Sequence, residues 1–270
     1  MIRIGSNSAR SRSGGGIRII LAIGMAIFAI ISYMSSQSTN EVTGENQHIS
    51  LSKEQEIVLG YQSAPQMEAE FGGEYPDNQV QARIDEIGER LVSQSVAASQ
   101  GWEFEFTVLD DEQTVNAFAL PGGPVYITAG LLEQLSTEDQ VAGVLGHEIG
   151  HVLARHSAAQ MAQSELTNGL IGAVLVASDT NTAATAQMVA QLITMSYGRD
   201  DELQSDWLGV CIMDQAGYDP SEMVGVMQVL QAASGGSSMP EFASTHPNPE
   251  NRIARIEEAL NNLDQCPGRG

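Results

Sequence analysis

Positive charge is what this 270-residue chain has least of. Only 12 residues are Lys or Arg, against 34 Asp or Glu, and four of the 12 (Arg3, Arg10, Arg12 and Arg18) stand in an opening stretch that holds no acid. Beyond residue 18, eight basic residues face all 34 acidic ones. Such a surface repels nucleic acid and anionic lipid, which excludes nucleic-acid binding as a function class. Cysteine is scarce too. Cys211 and Cys266 are the only two, too few for a cysteine-walled structural zinc site. Neither has a basic cluster or histidine beside it in sequence to make it a nucleophile, and neither is placed for lipidation. In an oxidising compartment they are expected to form one disulfide. Aromatics make up 5% of the chain against 42% hydrophobic residues, which is ordinary globular composition for one well-buried domain. No internal repeat is present.

One apolar run is present. Ile19 to Met34 carries no charge, and 16 helical residues at about 1.5 Å each reach about 24 Å, short of the roughly 30 Å hydrocarbon core unless Arg18 snorkels. No A-x-A cleavage site follows, Ser36 and Ser38 being a weak substitute, so an uncleaved anchor is expected over a cleaved signal. Arginines before the run and none just after it orient the N-terminus to the cytoplasm and the rest outside. The expected topology is single-pass, with the body of the chain outside the cytoplasm, or free there if the signal is cleaved. An Arg/Ser-rich mitochondrial presequence is the alternative.

The expected organisation is a basic cytoplasmic segment over 1–18, an anchor or signal over 19–34, a polar linker over 35–50 and a single domain over 51–270. His48 in the linker is expected to be exposed and without a role. Ser52 with Gln55 predicts a capping box, and Val80, Ile84, Ile87 and Leu91 recur at helical spacing after Asp77. The period then shifts to two: "WEFEFTVLD", "TVNAFAL" and "VYITAG" predict short strands, with a turn at "PGGP". From Ser136 onward helices are expected at about 137–157, 158–176, 183–196, 199–216, 220–233 and 248–263, the last opened by Asn248 and Pro249. "GLIGAVLVA" at 169–177 is too short to span a membrane and predicts a buried helix. The fold class is α+β, mainly helical, with a small sheet before the histidine-rich helix and one N-terminal hydrophobic helix.

The chemistry concentrates in "GHEIGHVLARH", residues 146–156, which holds three of the five histidines. Ser136 with Asp139 predicts the cap of a helix whose apolar stripe runs through Val141, Val144, Leu145, Ile149, Val152 and Leu153. At about 100° per residue, His147 and His151 share a face, while His156 points elsewhere. Glu148 falls between that face and the apolar stripe, where an ionised carboxylate is costly unless a metal or a reaction compensates it. H-E-x-x-H on a helix is the zinc-peptidase pattern, both imidazoles binding the metal and the glutamate serving as general base. The metzincin extension would need glycine at 154 and histidine at 157; Ala154 and Ser157 stand there, so His156 reads as a structural or surface histidine. A third ligand must come from downstream. In "YGRDDELQSD", Glu202 and Asp206 lie four apart on one face, suiting one as ligand and the other as acceptor for an imidazole N–H. Asp200 and Asp201 read as an acidic first turn complementing the helix dipole.

With "NAFALPGGPVYITAGLL", "GHEIGHVLARH", "YGRDDELQSD" and "STHPNPENRI" in place, the chain resembles the HtpX-like and CAAX prenyl protease-like zinc metallopeptidases, gluzincins, from about Ser52 to Leu263, and among them the exported members related to bacterial periplasmic quality-control proteases. The resemblance implies one Zn2+ per subunit held by His147, His151 and Glu202, with Glu148 as base, Asp206 behind the ligands and His246 over the active site. Family members usually have Ser at the place of Gly198 and Ala at that of Ser205; neither position is a ligand. No tetratricopeptide array is expected after Leu263. The implied activity is endoproteolysis of extended or misfolded proteins, with the strand at Asn116, Ala117 and Phe118 offered to an extended substrate. A chaperone-like client-binding factor with a latent site, and a structural zinc bundle, are the rival readings. For His246 two roles are open, oxyanion donor or latent ligand at the open metal position, and the sequence favours the first because nothing in it signals how a plug would be released.

Overall fold

The computed structural model describes residues 14–177, 198–234, 242, 245, 246 and 251–269. They fall into two compact units, one drawn from Met1–Gln37 and Ala162–Thr194, the other from Ser38–Met161 and Met195–Gly270. The first unit holds α1 (Gly14–Ser35). Its 22 residues at about 1.5 Å each reach about 33 Å, more than the uncharged run alone allows, because the helix also takes in residues on either side of it. By length and composition Gly16–Ser35 can cross a membrane, and Ile20, Phe28 and Met34 on it are strongly exposed.

The stretch expected to be a polar linker carries β1 (Gln37–Thr39) and β2 (Asn46–His48), which pair as a two-stranded sheet. Asn40 is buried between them, accepting from the amides of Val42 and Thr43 and donating to the Leu153 carbonyl. His48 is half-buried, not exposed. The expected capping box at Ser52 and Gln55 opens α2 (Lys53–Glu70), and Asp77 caps α3 (Asn78–Ser93). The three period-two runs become β3 (Glu105–Leu109), β4 (Ala117–Ala119) and β5 (Pro124–Thr128), ordered β3-β5-β4, with β3 parallel and β4 antiparallel to β5. Gly122 and Gly123 of "PGGP" take positive φ, the conformation that lets the hairpin close.

After the short α4 (Ala129–Leu132), α5 (Glu138–Ala154) is buried without interruption from Val141 onward. Its cap is Thr137, which accepts from the Gln140 amide; Ser136, the expected cap, instead donates its amide to the Gln140 side chain. The register slips by one: Thr137 has the extended backbone of a cap and its hydroxyl takes the Gln140 amide. α5 ends three residues earlier than expected, at Arg155, a non-glycine residue with φ 60°. α6 (His156–Ala177) follows and carries the chain from the second unit into the first. Its "GLIGAVLVA" portion is helical but only partly buried, Val174 being 58% exposed; within the first unit Gly169 sits against Ala29 of α1. The helix expected over 183–196 and the Asn248–Pro249 start lie outside the described residues. α7 (Arg199–Ala216) and α8 (Glu222–Ser234) match expectation, while α9 (Arg252–Leu260) is shorter, a 3-10 turn at Leu263–Gln265 taking the place of its last residues. Cys211 and Cys266 form the expected disulfide, which ties the residues after α9 to α7. For a loop of this length the chain-entropy model gives about 4 kcal/mol.

Candidate metal centre

The face of α5 that carries the histidines also carries glycine. A Cβ at Gly150 would stand 3.0 Å from the Ser205 carbonyl oxygen, and one at Gly209 of the facing helix α7 would stand 3.1 Å from the His147 backbone nitrogen. At these distances a side chain would push its neighbour back by a few tenths of an ångström, so the glycines let the backbones of α5 and α7 approach closely. That close approach brings Glu202 and Asp206 of α7 within reach of His147.

Four groups converge. His147 Nε2 lies 3.1 Å from His151 Nε2 and 3.3 Å from His246 Nδ1, and His246 Nδ1 lies 3.0 Å from Glu202 Oε1. Glu202 Oε1 is 3.4 Å from His151 Nε2, and its Oε2 is 3.5 Å from His147 Nε2. Tetrahedral zinc with bonds of about 2.0–2.1 Å sets its ligand atoms about 3.3 Å apart, and these separations match. The donor set also calls for a cation. His147 donates its Nδ1–H to Asp206 Oδ1 at 2.9 Å, so in the neutral ring Nε2 is a lone pair aimed at the other ligands in a site sealed from water. His147, His151, Glu202 and His246 are all buried, and their ligand atoms lie close enough together that they could hold one metal ion.

Without a cation the electrostatics are lopsided. Burial opposes the imidazolium of His147, yet the Asp206 and Glu202 carboxylates raise it to about 9. Burial pushes His151 well below the ordinary histidine value. Burial also works against ionised Glu202 and Asp206, but His246 and the other imidazoles hold Glu202 low, and Arg252 with His147 holds Asp206 low. Glu148 differs from both. It is fully buried, neither of its oxygens accepts a hydrogen bond among the described residues, and burial raises its pKa. Its Oε1 is 3.7 Å from His246 Nε2. A desolvated carboxylate with open acceptors beside a metal site is primed to take a proton.

Arg252 joins the site without having been expected there. Its side chain is 2% exposed and grips Asp206 with two bonds, Nε to Oδ2 at 2.7 Å and Nη2 to Oδ1 at 2.6 Å, while Nη1 pairs with Glu202 Oε2 at 3.0 Å. One guanidinium thus fixes both Glu202 and Asp206. The sequence does hold a signal for it: Arg252 opens α9, and a cation at a helix N-terminus opposes the dipole unless a carboxylate answers it. His156, expected to be structural or at the surface, is 4% exposed, with Nδ1 2.9 Å from His151 Nδ1 and Nε2 2.9 Å from Gln204 Oε1. Its ring reaches His151 because Arg155 breaks the helix. A left-handed residue with a side chain costs about 1–2 kcal/mol, held here by Arg155 binding buried Glu56 and the Leu51 carbonyl.

The β4 strand lies at the outer edge of its sheet. The amide and carbonyl of Asn116 both face Thr128, and the Leu120 amide bonds Pro124. By alternation the backbone groups of Val115, Ala117 and Ala119 point away from β5 to the outer edge, so Ala117, and not Asn116 or Phe118, presents hydrogen-bonding backbone outward. Phe118 instead stacks on Tyr126 at 5.0 Å, and Asn116 is buried. At one end the edge is taken: the Phe242 amide bonds the Val115 carbonyl, and the Phe242 ring stacks on His246 at 4.4 Å.

Comparison with known proteins agrees with this geometry. The chain is 32% identical to mitochondrial metalloendopeptidase OMA1 of Schizosaccharomyces pombe over 66% of its own length and 52% of the relative's. It is 31% identical to the beta-barrel assembly-enhancing protease of Escherichia coli K12 over 67% and 39%, and 30% identical to that of Yersinia pestis over 83% and 48%. The chain thus spans about half, or less, of the length of these relatives. Residues 78–260 match the model of peptidase family M48, a stretch that runs from the first residue of α3 to the last of α9 and contains every residue of the buried centre, and the chain belongs to that family.

Proposed function

We propose that the chain is a zinc-dependent endopeptidase acting on extended or misfolded exported or membrane-associated proteins, with one zinc held by His147, His151 and Glu202. The observation that carries this reading is the convergence of metal-ligand atoms beside Glu148, a buried carboxylate whose two oxygens lack hydrogen-bond donors among the described residues. The relatives named a metalloendopeptidase and a protease support it. Zinc bound there supplies Lewis-acid polarisation of a peptide carbonyl and acidifies water. Glu148 takes the proton of the attacking water and returns it to the leaving amine. Asp206, clamped by Arg252, keeps His147 in the tautomer that offers Nε2. An extended substrate pairs with the outward backbone of Ala117 and Ala119, which gives affinity with little side-chain selection.

The pose of His246 supports the second of its two roles. Its Nδ1 stands among the ligand atoms, where an oxyanion donor has no reason to be, so we assign it as a latent fourth ligand that must leave for substrate to enter. The test is casein hydrolysis by the full-length chain in detergent, with zinc measured in the same samples. Chelator is expected to abolish hydrolysis and zinc to restore it, and His246→Ala at equal zinc occupancy is expected to be faster than wild type. A fall of about 10²- to 10³-fold would return His246 to the oxyanion role. Zinc-loaded protein that cuts in neither form would favour the client-binding alternative.

α1 is proposed as an uncleaved anchor with the N-terminus inside and the catalytic unit outside. Alkaline phosphatase fused after residue 40 is expected to be active and a fusion before Ile17 inactive; equal activity at both positions would reject this orientation.

A further inference from the structure

His156 lies five residues after His151, and in an unbroken helix it would stand about 140° round the axis from it. The left-handed turn at Arg155 cancels that rotation. The two rings meet nearly perpendicular, at 73°, with Nδ1 to Nδ1 at 2.9 Å. On its other side His156 Nε2 is 2.9 Å from Gln204 Oε1, with Asp201 Oδ1 at 3.7 Å and beyond bonding distance. An amide oxygen only accepts, so His156 Nε2 carries the proton and donates it to Gln204. The neutral ring then has an acceptor at Nδ1. Ser205 Oγ approaches that nitrogen at 3.4 Å, and His151 Nδ1 is the nearer donor. With its proton on Nδ1, His151 is left with a lone pair on Nε2, the atom 3.4 Å from Glu202 Oε1 and 3.1 Å from His147 Nε2.

We propose that His156, oriented by Gln204 and aimed by the turn at Arg155, is a positioning residue that fixes His151 in the tautomer binding metal through Nε2. The proposal rests on the metal-centre reading above. It makes the two histidine ligands unequal: His147 leans on an anionic acceptor, Asp206, and His151 on a neutral one. An acceptor behind each metal-bound imidazole is the general rule, and an imidazole serves here because Asp206 and Glu202 already bring two negative charges against the single positive charge of Arg252.

The experiment is zinc affinity of the full-length chain by chelator competition, together with long-range proton–nitrogen correlation of the histidine rings in the zinc-loaded protein. His156→Leu is expected to weaken zinc binding about 10- to 100-fold. His156→Asn, whose amide oxygen stands near the place of Nδ1, is expected to keep most of it and to retain the His151 Nδ1–H signal. Affinity in His156→Leu equal to wild type overturns the proposal, as does an Asn variant no better than the Leu variant, the result of a packing role alone. If His156→Leu does not fold, Gln204→Leu decides: weaker zinc binding and an altered His151 signal support the relay, and no change in either overturns it. A wild-type chain that binds no zinc would instead refute the metal centre itself.

Discussion

Glu148→Gln is expected to keep its zinc and lose proteolysis by about 10²- to 10⁴-fold, the usual cost of removing a general base. The two side chains have the same shape, so the packing of α5 is undisturbed, but an amide cannot take a proton from water or return it to the departing amine. Zinc is expected to stay because Glu148 lies outside the converging set of His147, His151, Glu202 and His246. The fold is expected to tolerate the change, since a neutral amide replaces a buried carboxylate whose oxygens accept no hydrogen bond among the described residues, a costly group to keep ionised. Turnover, zinc content and melting temperature measured on one preparation test all three points. Wild-type turnover would sink the assignment of the base, and loss of zinc would move Glu148 into the ligand set.

Glu202→Gln is expected to have the opposite signature, with metal lost and activity lost because of it. The carboxylate is the one anion among the four converging groups, and an amide oxygen is a poorer zinc ligand. The change also leaves the Nη1 end of Arg252, which pairs with Glu202 Oε2 at 3.0 Å, without its carboxylate in a buried site. The loss of zinc affinity is therefore expected to exceed the roughly 10- to 100-fold typical of removing an outer partner. Dialysis against a weak chelator followed by metal analysis reads it directly. Full zinc occupancy in Glu202→Ala would place the third ligand elsewhere, with His246, which already stands in the converging set, the first to be tested.

The pair His147 and His151 is legible in the amino-acid sequence because four residues of helix set their geometry, and the stripe from Val141 to Leu153 announces that helix. Glu202 and Asp206 of α7 are legible as a pair for the same reason. Three strands, the cap at Asp77 and the capping box at Ser52 follow from equally local patterns. The one-residue slip at Ser136 is local as well: two neighbouring hydroxyls compete for one cap, and Thr137 takes it.

Periodicity over a few residues is thus enough to specify the helices, the two-histidine face, the short strands and the apolar N-terminal run. The remainder depends on packing between distant parts of the chain. The approach of α7 to α5 through Gly150 and Gly209, the reach of Arg252 across 46 residues to Asp206, and the lodging of His246 99 residues from His147 are outcomes of that kind. His156 shows the difference most clearly. Helical periodicity turns it away from His151, and the left-handed Arg155, held by Glu56 and the Leu51 carbonyl about 100 residues earlier in the chain, turns it back. A backbone conformation that costs about 1–2 kcal/mol is adopted only where distant contacts outweigh the local preference, and no local pattern records those contacts.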